Sequence, residues 1–138
     1  MIQRIQSVWL LLASFFSAIT FRFPFYNGDW LKDLVQAPVD LNAQTTTWLT
    51  IVTVLTGVLA FAAIFLFGNR SFQLKLTYAG LIVSIGMLVI YFFELKNFSS
   101  GSIALWCIFH FAITAFYILA IKGIRNDQKL IRGLDRLR

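Results

Sequence analysis

Four stretches of this chain, residues 5–21, 46–67, 77–93 and 103–121, contain no Asp, Glu, Lys or Arg. No other feature restricts the possible folds so strongly. An α-helix needs about 20 apolar residues to cross roughly 30 Å of hydrocarbon, and each stretch comes close to that length. The second holds twelve Leu, Ile, Val or Phe residues. Each of these favours insertion by about 0.3 to 0.6 kcal/mol near the helix centre. The first and third stretches are shorter and need help from their flanks. Composition agrees, since a mean hydropathy of +0.76 with 13% charged residues leaves too little polar surface to cover a globule of 138 residues in water. The expected fold class is therefore all-α. We read residues 1–138 as a single integral membrane domain, a bundle of four transmembrane helices at the positions given.

The opening "MIQR" and the following "VWLLLASFF" have the outline of a secretory signal. However, Ser17, Ala18, Ile19 and Thr20 make a poor cleavage site, and Arg22, Phe23 and Pro24 follow at once, so the first stretch reads as an uncleaved helix. Four crossings put both termini and the central connection on one side, with Arg4, Arg70, Lys75, Lys122, Arg125, Lys129, Arg132, Arg136 and Arg138. The two remaining loops lie opposite, with Arg22, Lys32 and Lys96. By the positive-inside rule, nine basic residues against three place both termini in the cytoplasm. Nine less Asp127 and Asp135 gives +7 inside, and three less Asp29, Asp33, Asp40 and Glu94 gives −1 outside. The expected home is a bacterial inner (cytoplasmic) membrane, with a periplasmic loop over 22–45 and a cytoplasmic tail over 122–138. The sequence pI of about 9.9 then belongs to one face, and no nucleic-acid partner is needed to explain it. The expected partners are membrane lipids and a protein, or a second copy of the chain.

Within loop 22–45, Asn27 and Gly28 suggest a turn. Asp29 suits the cap of a short helix through about Gln36, which Pro38 would end. Phe21, Phe23, Phe25, Tyr26, Trp30 and Trp48 suit rings resting at lipid headgroups. The loop is either a collar on the helix ends or a lid or partner site. The 94–102 connection reads as a short surface turn, with Glu94 and Lys96 marking the surface.

Lipid tails are as apolar as Leu, so membrane helices associate through close packing and hydrogen bonds. On the second helix Thr46, Thr50, Thr53, Gly57 and Ala60 recur at steps of four and three, giving one small-residue face suited to helix packing. Ser7, Ser14, Ser17 and Ala18 on the first helix, with Gly80, Ser84 and Met87 on the third, offer weaker counterparts.

His110 is the only histidine and lies within a span, where an ionisable group is a functional hypothesis by default. Cys107 and Thr114 share its helix face. Two readings stand: a neutral imidazole bonded to a neighbouring helix, or a ligand site using His110, Cys107 and Thr114. Cys107 is the only cysteine, so an internal disulfide and multi-cysteine metal motifs are excluded. No serine-nucleophile motif, paired carboxylates or glycine-rich phosphate loop appears. Charged residues at mid-membrane, usual in coupled transport, are missing too. No metal, cofactor or catalytic residue is expected.

The closing segment "IRNDQKLIRGLDRLR" places Lys122, Arg125, Lys129, Arg132 and Arg136 on one basic stripe, with Ile124, Leu130, Ile131, Leu134 and Leu137 broadly opposite. We expect a break at Gly123 and a fresh amphipathic helix capped by Asn126 or Asp127. It would serve as a surface anchor or as a docking helix.

The segments "MIQRIQSVWLLLA", "LFGNRSFQLKL" and the closing one, in this order and spacing, resemble an uncharacterised family of small four-helix inner-membrane proteins from Bacteroidota, known only as a domain of unknown function. The resemblance implies four helices, about this length and an inner-membrane home. It implies no activity and no site residues. The leading expectation is a non-enzymatic accessory or scaffold subunit of a membrane or envelope complex. The alternative is a lipid- or quinone-binding bundle using the face around His110.

Overall fold

The computed structural model describes residues 3–32 and 35–137. The chain is mostly helical, with four α-helices: α1 (Gln3–Ile19), α2 (Thr47–Phe65), α3 (Arg70–Glu94) and α4 (Ile108–Arg136). Three strands lie between them, β1 (Tyr26–Lys32), β2 (Val35–Leu41) and β3 (Phe98–Ile103). Short 3₁₀ turns over Leu95–Asn97 and Leu105–Cys107 flank β3. Asn69 starts α3 by accepting the Phe72 N–H at 3.3 Å, as a short polar side chain does at a helix N-cap.

Each helix packs on its neighbours in sequence, and α4 closes on α1, so the four stand in a ring. One bond crosses the ring: the Tyr117 hydroxyl on α4 donates to the Thr56 carbonyl on α2. Gln6, Ser17, Thr53, Thr56, Gln73, Thr77, Ser84 and His110 are buried in the interior. Ile5, Val8, Leu11 and Phe15 of α1 face outward, as do Ile51, Val58 and Phe61 of α2, Ile82, Ile85 and Val89 of α3, and Ile108, Phe111 and Ile118 of α4. This reverses the polarity of a water-soluble protein, whose outer helix faces are polar. Three helical stretches of 19, 28 and 32 residues are long and apolar enough to cross a membrane. The apolar part of α1, Ile5–Ile19, is shorter.

The chain is not all-α. β1 pairs antiparallel with both β2 and β3 in a three-stranded sheet of order β2-β1-β3. The turn expected at Asn27–Gly28 lies within β1, and the helix expected from Asp29 through about Gln36 falls on the end of β1 and the start of β2, with residues 33 and 34 outside the described residues; Pro38 lies in β2 opposite Asp29. Local turn and cap signals yielded to pairing on both edges, with β2 next in sequence and with a strand some seventy residues away, between residues such as Tyr26 and Ile103. Pro38 is tolerated because β2 is an edge strand. The alternation of Val35, Ala37, Val39 and Leu41 with Gln36, Pro38 and Asp40 is the strand signal in that segment. The 94–102 connection is likewise no simple turn, since it supplies β3.

Gly28 and Gly101 face each other across β1 and β3. A Cβ at Gly101 would fall 2.4 Å from the Asn27 carbonyl, and its φ of +155° also favours glycine. Tyr26 and Phe98 cover the gap, ring to ring at 5.0 Å.

Helix boundaries also moved. α3 begins at Arg70, about two turns before residue 77, and α4 begins at Ile108, after residue 103. No break occurs at Gly123. α4 runs through it, and the glycine admits Gln6 of α1, which would lie 3.3 Å from an added Cβ. Asp127 is accordingly a buried mid-helix residue and not a cap.

Candidate functional site

The sheet is tied to the helices through Phe25. Its N–H donates to the Leu41 carbonyl at 2.7 Å, and its carbonyl accepts from Ala104 N–H at 3.1 Å. This holds the Phe25 ring over the ends of α3 and α4. It stacks on Tyr91 at 4.8 Å between centroids and meets His110 edge-on at 5.1 Å. Tyr91 meets His110 edge-on at 4.6 Å, and both are fully buried. His110 thus stands in an aromatic cage assembled from the start of the sheet, α3 and α4.

Among the described residues, neither imidazole nitrogen nor the Tyr91 hydroxyl has a hydrogen-bond partner. The Trp106 carbonyl and the Thr53 hydroxyl lie nearby without hydrogen-bonding geometry. Cys107 is half-buried at the start of α4 and packs on the core. Thr114 donates to Ser84 Oγ on α3 at 3.4 Å. The three residues share a helix side but address different neighbours, and the cavities at the far end and along α4 are not lined by any of them. Among the described residues, no three His, Cys, Asp or Glu side chains gather as a metal would need.

The small-residue stripe of α2 divides. Thr53 and Ala60 are buried. Ser17 Oγ on α1 donates to the Thr53 carbonyl at 2.8 Å, and Thr53 Oγ1 donates to Met87 Sδ on α3 at 3.5 Å. Gly57 receives Ser17, whose Oγ would lie 3.1 Å from an added Cβ. Thr50 donates to the carbonyls of Ala43 and Thr46, and Thr46 is the N-cap residue without a capping bond. The buried face of α2 is Leu49, Thr53, Thr56, Ala60 and Ala63. Each interhelical hydroxyl bond of this kind contributes about 0.6 kcal/mol on average in lipid.

The end opposite the sheet gathers the basic residues. Arg70 opens α3, and Lys75, Lys122, Arg125, Lys129, Arg132 and Arg136 are exposed there. α4 rests on the other helices through Ile121, Ile124 and Asp127. From Lys129 to Leu137 every residue is exposed, with Ile131 and Arg132 bordering the α2–α3 turn. At 1.5 Å per residue that is roughly 12 Å of free helix.

The family model described as domain of unknown function (DUF4293) matches residues 2–137. The chain belongs to this DUF4293 family. No curated protein matches it, and no solved structure does. The family description carries no activity, so function in this DUF4293 protein rests on its own residues.

Several of those residues had no sequence signal pointing to them. Phe25 and Tyr91 carry the cage around His110, yet each resembles other span or rim aromatics. Gln73 Nε2 donates to the Ala63 carbonyl at 2.9 Å, joining α3 to α2 below residue 77, where helix had not been expected. Gln6, buried against Gly123, could have been flagged as an amide at the head of an apolar run.

Proposed function

We propose that this DUF4293 protein is an integral protein of a bacterial inner membrane, a bundle crossing it four times with both termini in the cytoplasm. On this reading it is a non-enzymatic accessory or scaffold subunit, and the free end of α4 engages a protein partner. The observation that carries the reading is the projecting helix itself. It continues from a span with Lys129, Arg132 and Arg136 on one stripe and Leu130, Leu134 and Leu137 exposed, an arrangement that suits a partner with both acidic and apolar surface. The crowding of basic residues at this end supports its cytoplasmic placement. The outward face of α1 supports its counting as the fourth crossing despite its length. The sheet then lies on the periplasmic side as a collar.

Two tests apply. In a Cys107→Ala background, an impermeant maleimide should label Ser102→Cys in cells with a permeabilised outer membrane, and Lys129→Cys only after the inner membrane is opened. The reverse order would sink the orientation. Removing 130–138 should leave the protein inserted at full-chain levels but strip its partner on affinity purification from native membranes. A complex that survives the truncation would show that docking occurs elsewhere.

A second reading, a lipid- or quinone-binding bundle, draws on the unpartnered polar atoms of His110 and Tyr91. Its weakness is that Phe25 and Tyr91 already occupy the space a ligand would need.

A further inference from the structure

Between the α2–α3 turn and α4, at the basic end, lies a cavity of about 360 Å³. Two arginines from different elements line it, Arg70 at the first position of α3 and Arg132 on the projecting part of α4. Asn69, Ser71 and Gln128 add polar groups, and no lining residue is a carboxylate. Among the described residues, the acids of this end lie elsewhere: Asp127 is buried on the inner side of α4, and Asp135 borders a separate hollow with Ile131, Leu134 and Leu137.

Two cations sharing one recess repel each other unless a negative group lies between them. Arg70 adds to the imbalance. It occupies the positive end of the α3 macrodipole, where acids are favoured, and no acid stands in that first turn. The walls Phe67 and Ile131 are apolar, and Phe72 is exposed in the first turn of α3. The recess therefore sits where the basic end meets the outward apolar faces.

We propose that this cavity binds the phosphate of an anionic glycerophospholipid. Arg70 and Arg132 hold the phosphate oxygens in the fork geometry guanidinium groups favour, and Ser71 and Asn69 lie alongside. Phe67, Phe72 and Ile131 meet the first carbons of the acyl chains. Basic recesses between membrane helices on the cytoplasmic side take such headgroups. The volume is near the lower bound of ligand sites, about 300 Å³, so it admits a headgroup and not a whole lipid. A free phosphate offers the same chemistry, and the test separates the two. The inference rests on the membrane reading.

The full chain in detergent is mixed with phosphatidylglycerol or phosphatidylcholine, and bound lipid is counted by native mass spectrometry. Phosphatidylglycerol should be retained about tenfold or more over phosphatidylcholine. That preference should vanish in Arg70→Gln/Arg132→Gln and persist in Lys129→Gln/Arg136→Gln, which loses the same charge outside the cavity. Equal losses in the two variants, or no headgroup preference, would overturn the site while leaving the membrane reading intact. Retention of neither lipid would count against both. Displacement of phosphatidylglycerol by millimolar inorganic phosphate supports the phosphate site and assigns it to a soluble ligand. Unchanged helicity of both variants by circular dichroism makes the comparison one of binding.

Discussion

Gly80→Ala should destabilise the detergent-solubilised protein by about 1–3 kcal/mol, the usual cost of overpacking, and Gly80→Val should cost more. The reason lies in one crossing between α3 and α4. A Cβ on Gly80 would fall 2.3 Å from Cε1 and 2.6 Å from Cζ of Tyr117. The ring has little room to withdraw, because Tyr117 is fully buried and its hydroxyl is bonded to the Thr56 carbonyl across the ring of helices. Relief requires either a shift of α4 or the loss of that bond. Thermal unfolding measured by intrinsic fluorescence checks the effect. Tyr117→Leu alone should also destabilise, through the cavity it leaves and the orphaned carbonyl. Gly80→Ala combined with Tyr117→Leu should then cost clearly less than the sum of the two. Independent sites add to within about 0.5 kcal/mol, so additive losses would show that the two residues do not bear on each other as the geometry requires.

The helices were legible because long apolar stretches have a length and a composition that no single residue can disguise, and three of the four helices are long and apolar enough to cross a membrane. Part of the packing was legible as well. Gly80, Ser84 and Met87 form a small-residue seam in the sequence, and all three lie on the buried face of α3. The sheet was hidden for a different reason. β1 reads locally as a turn and a cap, and pairing along both of its edges, with β2 next in sequence and with β3 brought alongside by two intervening helices, makes a strand the better solution for its backbone. Gly123 shows the same ambiguity in a helix, where a glycine that commonly ends one instead lets α1 approach. His110 stood out as a lone polar residue, but its cage did not, because Phe25 reaches it from outside the spans. A sequence marks polar outliers far more readily than the aromatic residues that close over them.

His110→Phe is the substitution that divides the two functional readings most sharply. The ring lies edge-on against the stacked pair of Phe25 and Tyr91, with both nitrogens unpartnered among the described residues. A buried polar atom left without a partner costs about 1–3 kcal/mol, and an apolar replacement of similar shape removes that cost. Phenylalanine keeps the two edge-on contacts and adds only a small ring expansion. Stability should therefore be unchanged within about 1 kcal/mol or should rise, since overpacking at this one position opposes the gain. Partner co-purification should be unaffected. His110→Lys should behave oppositely, because a charge buried without a partner is costly, and the site is fully buried. A marked loss of stability or complex formation in His110→Phe, with helicity retained, would mean that the imidazole holds a polar partner, either an internal water or a ligand. The binding reading would then gain the support that the packing around Phe25 and Tyr91 now withholds. Because Phe25 ties the cage to β2 through the Leu41 carbonyl, such a ligand could enter only if the sheet moved, which would make the sheet a lid and not a collar.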